Sequence, residues 1–280
     1  MHRQYLTMGT FLQISVYDSD IHRAEQGADR AAQAVLSVEH RLSNWIATSE
    51  LSAFNAALSS ATPYAPSATL AADLALAEQC RMATGGYFQP RVGAAAGVAL
   101  TDTVSTVAVD SGGFGKGLAL DQAAEAAGFG PGSRAFLNLG GQVAVYDAAM
   151  AVPLAHPDNR GQVMALLRVP AGYSLSVSGR HVADADADIA RPTVDHIVNP
   201  MTGAMVQRSD VALVRSVSAF WADCLSTAFY AAGTEAAPAL DARIRRYAPA
   251  YDAALIGTAA GRPAVLWQSA GWNHELGLEP

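Results

Sequence analysis

The chain has 280 residues, 51% of them hydrophobic and 15% charged, with a formal net charge of -7 from 18 Lys+Arg against 25 Asp+Glu. That length and apolar content are enough to bury one large core, and the acidic balance leaves no basic face to neutralise a phosphate backbone, which argues against nucleic acid as a partner. No apolar run approaches the ~20 residues needed to cross a bilayer, and Cys80 and Cys224 form neither a metal-type nor a disulfide spacing.

In chain order, the opening MHRQYLTMGTFLQISVYDSD turns polar too soon for the apolar region of a secretory signal. The chain as written is therefore expected to be cytoplasmic, and periplasmic or membrane-anchored if a leader precedes it. Residues 11–17 alternate around Leu12, Ile14 and Val16 and predict a strand, and the Ala-rich stretch 21–42 has the apolar spacing of a long helix. A second helix is expected from Ser67, a good N-cap, to Met82, stopped by Gly85-Gly86. Further strands are expected at 135–139, 142–146, 163–169, 173–177, 211–217 and 253–257, with helices near 118–127, 218–232 and 236–247. The pattern is mixed α+β or α/β. No fixed repeat and no Pro/Gly/Ser linker divides it, so residues 1–280 read as one domain of intimately packed parts.

Three segments carry chemistry. Val109-Asp110-Ser111-Gly112-Gly113-Phe114-Gly115-Lys116-Gly117 lies between an expected strand and an expected helix, where glycines bring backbone N–H groups close to an anion and Lys116 adds a positive charge. It is neither a P-loop, because Gly117 follows Lys116 where Ser or Thr would hold magnesium, nor a dinucleotide fingerprint. By itself it is also compatible with an ordinary strand-to-helix turn. In Ala222-Asp223-Cys224-Leu225-Ser226-Thr227, Asp223 and Thr227 are four apart and share a helix face. A carboxylate and a hydroxyl so placed, completed by a backbone carbonyl and water, suffice for magnesium; the alternative is a Thr bonding back to the preceding turn. Ser178-Gly179 ends a strand, and the segment from Asp195 to Gly203 reads as a short extended run entering a Pro/Gly turn, with His196 able to accept a proton near neutral pH or merely to hydrogen-bond locally. Asp184, Asp186 and Asp188 alternate like a calcium loop, but Ile189 and Asp195 replace its required glycine and glutamate, which favours a solvated acidic loop.

Together, and in this order, these stretches resemble the ApbE family of FAD:protein FMN transferases. The matching pieces are Met8-Gly9-Thr10, Asp110 to Gly117 with Asp121, Asn138-Leu139-Gly140-Gly141, Ser178-Gly179, His196 to Gly203, and Ala222 to Thr227. The resemblance implies a two-lobed α+β architecture related to the T-fold, with FAD between the lobes and Mg2+ on its pyrophosphate. It implies FAD contacts from Met8, Trp45, Gly86, Tyr87, Phe88, Asp110, Lys116 and the backbone of Ile197. It also implies a metal site from the Gly113 carbonyl, Asp223 and Thr227, with His196 and Asp223 in catalytic roles. The implied reaction is attack by a Ser or Thr hydroxyl on the FMN phosphorus, releasing AMP, on an acceptor flavoprotein carrying a motif like Asp-Gly-x-(Ser/Thr)-Gly-Ala-Thr. Alternatives are hydrolysis of FAD to FMN and AMP, or FAD binding without catalysis. The chain departs from the family pattern at Gln89, where Asp is common, in the short segment 91–107, and in lacking the lipidated cysteine of exported members.

Overall fold

The computed structural model of the protein describes residues 1–93, 107–156, 159–180, 197–259, 262–272 and 276–277. In chain order, β1 (His2–Thr7) and β2 (Thr10–Val16) form a hairpin, followed by α1 (Ile21–Leu42), α2 (Glu50–Ser59) and α3 (Ala68–Ala83). A small pair, β3 (Arg91–Gly93) and β4 (Val107–Val109), precedes α4 (Gly115–Ala127), then β5 (Ala135–Leu139), β6 (Gln142–Val145), β7 (Met150–His156), β8 (Asn159–Val169) and β9 (Tyr173–Gly179). The last elements are β10 (Val211–Ser216), α5 (Ala219–Ile244), β11 (Tyr251–Ala259), β12 (Arg262–Gln268), a 3-10 turn (Ala270–Trp272) and β13 (Leu276–Gly277).

One eight-stranded sheet runs in the order β1-β2-β5-β6-β9-β10-β11-β12 with every neighbouring pair antiparallel. Its central strands are covered on both sides. On β10, Ala212 and Val214 belong to the core under the helices, whereas Val211 and Leu213 join Val152, Leu154, Leu167 and Trp272 in a second core beneath the three-stranded sheet β13-β8-β7. Alternation of side chains along a strand sends successive residues to opposite faces, so the uninterrupted burial of β6 and β10 follows from having a layer on each face. No helix among the described residues is long and apolar enough to cross a membrane.

The expected α+β pattern is present, and most expected elements agree with the observed ones to within a few residues. The two helices expected at 218–232 and 236–247 are present within Ala219–Ile244, meeting at a kink at Gly233, whose φ of 74° and ψ of 178° lie outside the helical region. One element differs instructively. Helix α4 begins at Gly115, three residues before the expected start, with Gly115 against Met8 and Ser111 and Gly117 against α5. Strands β1, β7 and β12 and helix α2 are not evident in the sequence pattern. Pro153 and Pro263 interrupt the strand signature of β7 and β12, and each lies on a strand at the edge of its sheet, where a missing backbone donor is tolerated.

Helices α1 and α4 pack together, α4 crosses α5, and α5 lies on β9 and β10. The α4–α5 crossing is very close at Gly117: a Cβ there would stand 2.2 Å from the carbonyl oxygen of Ala219 and 2.8 Å from Cβ of Asp223. Gly117→Ala is accordingly expected to lose about 1–3 kcal/mol of unfolding free energy in chemical denaturation, because a backbone atom must give way; wild-type stability would show that the two helices separate freely.

Candidate functional site

The site is built at this crossing. The first turn of an α-helix leaves backbone N–H groups without intrahelical partners, and Phe114 at the N-cap of α4 provides no side-chain cap. The carboxylate of Asp223, on the second turn of α5, takes that place, with Oδ2 accepting from Gly117 N at 2.9 Å. A negative group is favoured at a helix N-terminus, which carries the positive end of the helix dipole. Asp121 of α4 returns the arrangement. Its carboxylate accepts from Ser218 Oγ (2.7 Å), Ala219 N (2.7 Å) and Phe220 N (3.0 Å) at the start of α5.

Asp223 is 3% exposed. Its second oxygen, Oδ1, accepts from no backbone donor among the described residues; it lies 3.5 Å from Ser176 Oγ and 3.9 Å from Lys116 Nζ. Around it hydroxyls converge from β9 and α5. Ser226 Oγ is 3.1 Å from Ser176 Oγ and 2.8 Å from Ser178 Oγ, and it bonds back to the Asp223 carbonyl at 2.9 Å. Thr227 Oγ1 donates to the same carbonyl at 3.2 Å and approaches Ser178 Oγ at 3.5 Å. The back-bond anticipated as the plain alternative for Thr227 is therefore present. It occupies the hydroxyl proton and leaves the oxygen lone pairs available to a cation.

The glycine loop closes over this pair. A Cβ on Gly113 would lie 3.2 Å from both Thr227 Oγ1 and the ring of Phe88, so glycine sets how near the loop comes to α5. The loop is anchored from behind by Asn44 and Asn55, whose side-chain amides both donate to the Val109 carbonyl, and by Ser111 Oγ donating to the Leu42 carbonyl. Asp110 accepts from Gly112 N within the loop at 2.8 Å. Lys116 Nζ lies 3.4 Å from the Gly112 carbonyl.

Met8 reaches the same place. It sits in the β1–β2 turn at φ 51°, its amide donating to Glu39 Oε1 (2.6 Å), and a Cβ on Gly115 would touch its terminal methyl at 3.4 Å. Phe88 is buried and meets Phe114 edge-on, and Gly86, at φ 93°, faces Met201 of the 199–203 turn. Tyr87 and Ile197 are partly buried against the main core, and the Ile197 carbonyl accepts from Val206 N. Trp45 differs: it is 95% exposed, beside the Asn44 that holds the loop. His196, the acidic residues 184–195 and most of the short 91–107 segment lie outside the described residues.

Ser176, Ser226, Glu39, Asn44 and Asn55 carry the site without having been singled out in the sequence. For two of them a signal existed: Ser174, Ser176 and Ser178 alternate along one strand, which places them on one face, and Ser226 is three residues beyond Asp223. Cys80 and Cys224, distant in sequence, are both buried, and burial together with the neighbouring Cys80 thiol pushes Cys224 well above the ordinary thiol range. They behave as core residues.

Among the described residues no three His, Cys, Asp or Glu side chains gather as a metal cluster. The donors gathered at the site are the Asp223 carboxylate and the hydroxyls of Ser176, Ser178, Ser226 and Thr227, all hard oxygens. Such a set fits magnesium, which keeps most of its shell for water and substrate phosphate.

The sequence matches the ApbE family over residues 8–100 and 96–250. No curated protein matches it. Its fold is similar to that of the flavin transferase ApbE from Vibrio cholerae, with a TM-score of 0.68 and 20% identity over 99% of each chain. It is similar also to the flavinyl transferase ApbE of Pseudomonas stutzeri in its apo form, with a TM-score of 0.71 and 16% identity, covering 100% of this chain and 97% of that one. The ApbE protein of Thermotoga maritima gives a TM-score of 0.71 and 18% identity over 99% of each chain.

Burial holds the Asp121 carboxyl above its ordinary value of 3.8, against the lowering effect of the three donors it accepts. A carboxyl with a raised native pKa favours folding while protonated and loses that contribution as pH rises from the unfolded value through the native one. Asp121→Asn should flatten this part of the pH–stability curve, measured by urea unfolding from roughly pH 4 to pH 7; an unchanged slope would place the titration elsewhere.

Proposed function

The chain belongs to the ApbE family, and we propose that it transfers the FMN half of FAD to a Ser or Thr hydroxyl of an acceptor flavoprotein and releases AMP. The observation that carries this reading is the convergence, at one helix N-terminus, of the buried carboxylate Asp223, the hydroxyl of Thr227, the backbone at Gly113 and the ammonium of Lys116. A pyrophosphate needs positive potential and backbone donors, and the start of α4 with Lys116 supplies both. The partly buried side chain of Met8 suits the flat, uncharged parts of a dinucleotide. Exposed Trp45 is available to stack on a ring.

Asp223, Thr227 and the Gly113 carbonyl would hold Mg2+. When bound, the ion would neutralise charge on the pyrophosphate and on the departing phosphate. The chain's own part is to fix the donor groups: Gly117 N holds one oxygen of Asp223 and leaves the other toward Ser176 and Lys116, while Ser226 and Thr227 bond back to α5. In the transfer, the acceptor hydroxyl oxygen forms a bond to the FMN phosphorus, the phosphorus–oxygen bond to AMP breaks, and AMP leaves with the bridging oxygen. The hydroxyl proton passes to a base, for which His196 is the candidate from the sequence. The acceptor is expected to present a motif like Asp-Gly-x-(Ser/Thr)-Gly-Ala-Thr.

The test is to incubate the protein with FAD, magnesium and a polypeptide bearing that motif, following acceptor mass and free AMP together. The expected result is a mass gain equal to FMN with matching AMP, abolished by EDTA and reduced on the order of 100-fold or more in Asp223→Ala. AMP without labelled acceptor would assign hydrolysis instead, and bound FAD with neither product would assign a binding protein.

A further inference from the structure

Lys116 stands at the seam that a divalent cation would occupy. Its ammonium lies 3.4 Å from the Gly112 carbonyl of the loop and 3.9 Å from Asp223 Oδ1 of α5, thereby bridging the same two elements as the proposed metal set. Among the described residues no other side-chain cation lies within 4.0 Å of the Asp223 carboxylate. The other oxygen of Asp223 accepts from Gly117 N at 2.9 Å, whereas Oδ1 has only the 3.5 Å contact from Ser176 Oγ beside Lys116 and is the oxygen more open to a cation. Asp223 is nearly buried, with its side chain 5% exposed, while the Lys116 side chain is 32% exposed on a flexible four-carbon stem. The ammonium can therefore move without disturbing the helix crossing; the carboxylate cannot.

We propose, building on the FAD reading above, that Lys116 is a built-in counter-ion of Asp223 that keeps divalent cations out until the dinucleotide arrives. An ammonium and a divalent ion beside one buried carboxylate repel each other in a medium of low polarity. An incoming pyrophosphate gives Lys116 a better anionic partner, and the carboxylate it leaves is then free for the metal. Metal and dinucleotide thus load together, and by linkage each tightens the other by the same factor.

The experiment measures Mn2+ binding to the full chain by the electron paramagnetic resonance of free Mn2+, with and without FAD, for the wild type, Lys116→Met and Lys116→Gln. For the wild type, FAD is expected to tighten Mn2+ about tenfold or more, within the usual range of coupling between sites. Removing the ammonium should tighten Mn2+ in the absence of FAD at least several-fold, weaken FAD in the absence of metal, and shrink the coupling factor. Lys116→Arg, which retains the charge, should behave like the wild type in the metal-only titration. Mn2+ affinity without FAD that is unchanged or weaker in both uncharged variants overturns the proposal, as does absence of Mn2+ binding by them. Failure of the wild type to bind FAD would overturn the functional reading instead, and the metal-only titrations stand apart from it. Two uncharged variants of different polarity guard against one that does not fold, checked by circular dichroism.

Discussion

Two carboxylates exchanged between two helices hold this molecule's site together. Asp223 of α5 satisfies the orphan amide of Gly117 on α4, and Asp121 of α4 satisfies the first amides of α5. Each helix supplies what the other's N-terminus lacks. The exchange works only at the spacing that Gly117 permits, where the Ala219 carbonyl is closer than any side chain would allow. Conformation, electrostatics and packing are thus decided at one contact. The cost of burying Asp223 is offset by a helix dipole, a backbone donor and a nearby ammonium.

The sheet places polar groups around that contact. Strand β9 is central, flanked by β6 and β10, and its two faces meet different layers. Leu175 faces the second core, whereas Ser176 and Ser178 face α5 and meet Ser226 and Thr227. In a layer otherwise filled by Ala, Leu, Phe and Val, four hydroxyls in mutual contact are kept because each satisfies another. Buried polar groups persist where their hydrogen bonds are made inside the protein.

Elements distant in sequence bring the remaining groups into reach. The β1–β2 turn delivers Met8 because Glu39 of α1 holds both the Thr7 hydroxyl and the Met8 amide. The glycine loop sits where it does because two asparagines, from the end of α1 and from α2, grip one carbonyl of β4. The loop can therefore be rich in glycine yet fixed in place. A site that must accept a large anion gains from such preorganisation, since less ordering remains to be done when the ligand binds.

The sequence by itself determined the class of fold, most of the element boundaries and the order of the motifs. Those are encoded by short-range regularities: the spacing of alanines in α1, the serine cap and glycine stop of α3, and the alternation in β2, β5 and β9. It also placed Asp223 and Thr227 on one helix face, because four residues make about one turn. Edge strands with proline or polar residues were hidden, since at an edge the pattern need not be apolar on both sides. Tertiary structure alone decided that Asp223 caps α4, that Lys116 lies beside it, that Asp121 caps α5, and that Ser176 stands by the carboxylate. These relations join residues 47 to 107 positions apart: 47 for Ser176 with Asp223, 106 for Gly117 with Asp223 and 107 for Lys116 with Asp223. No local periodicity reports a contact across that separation; only the crossing of two helices on a sheet creates it.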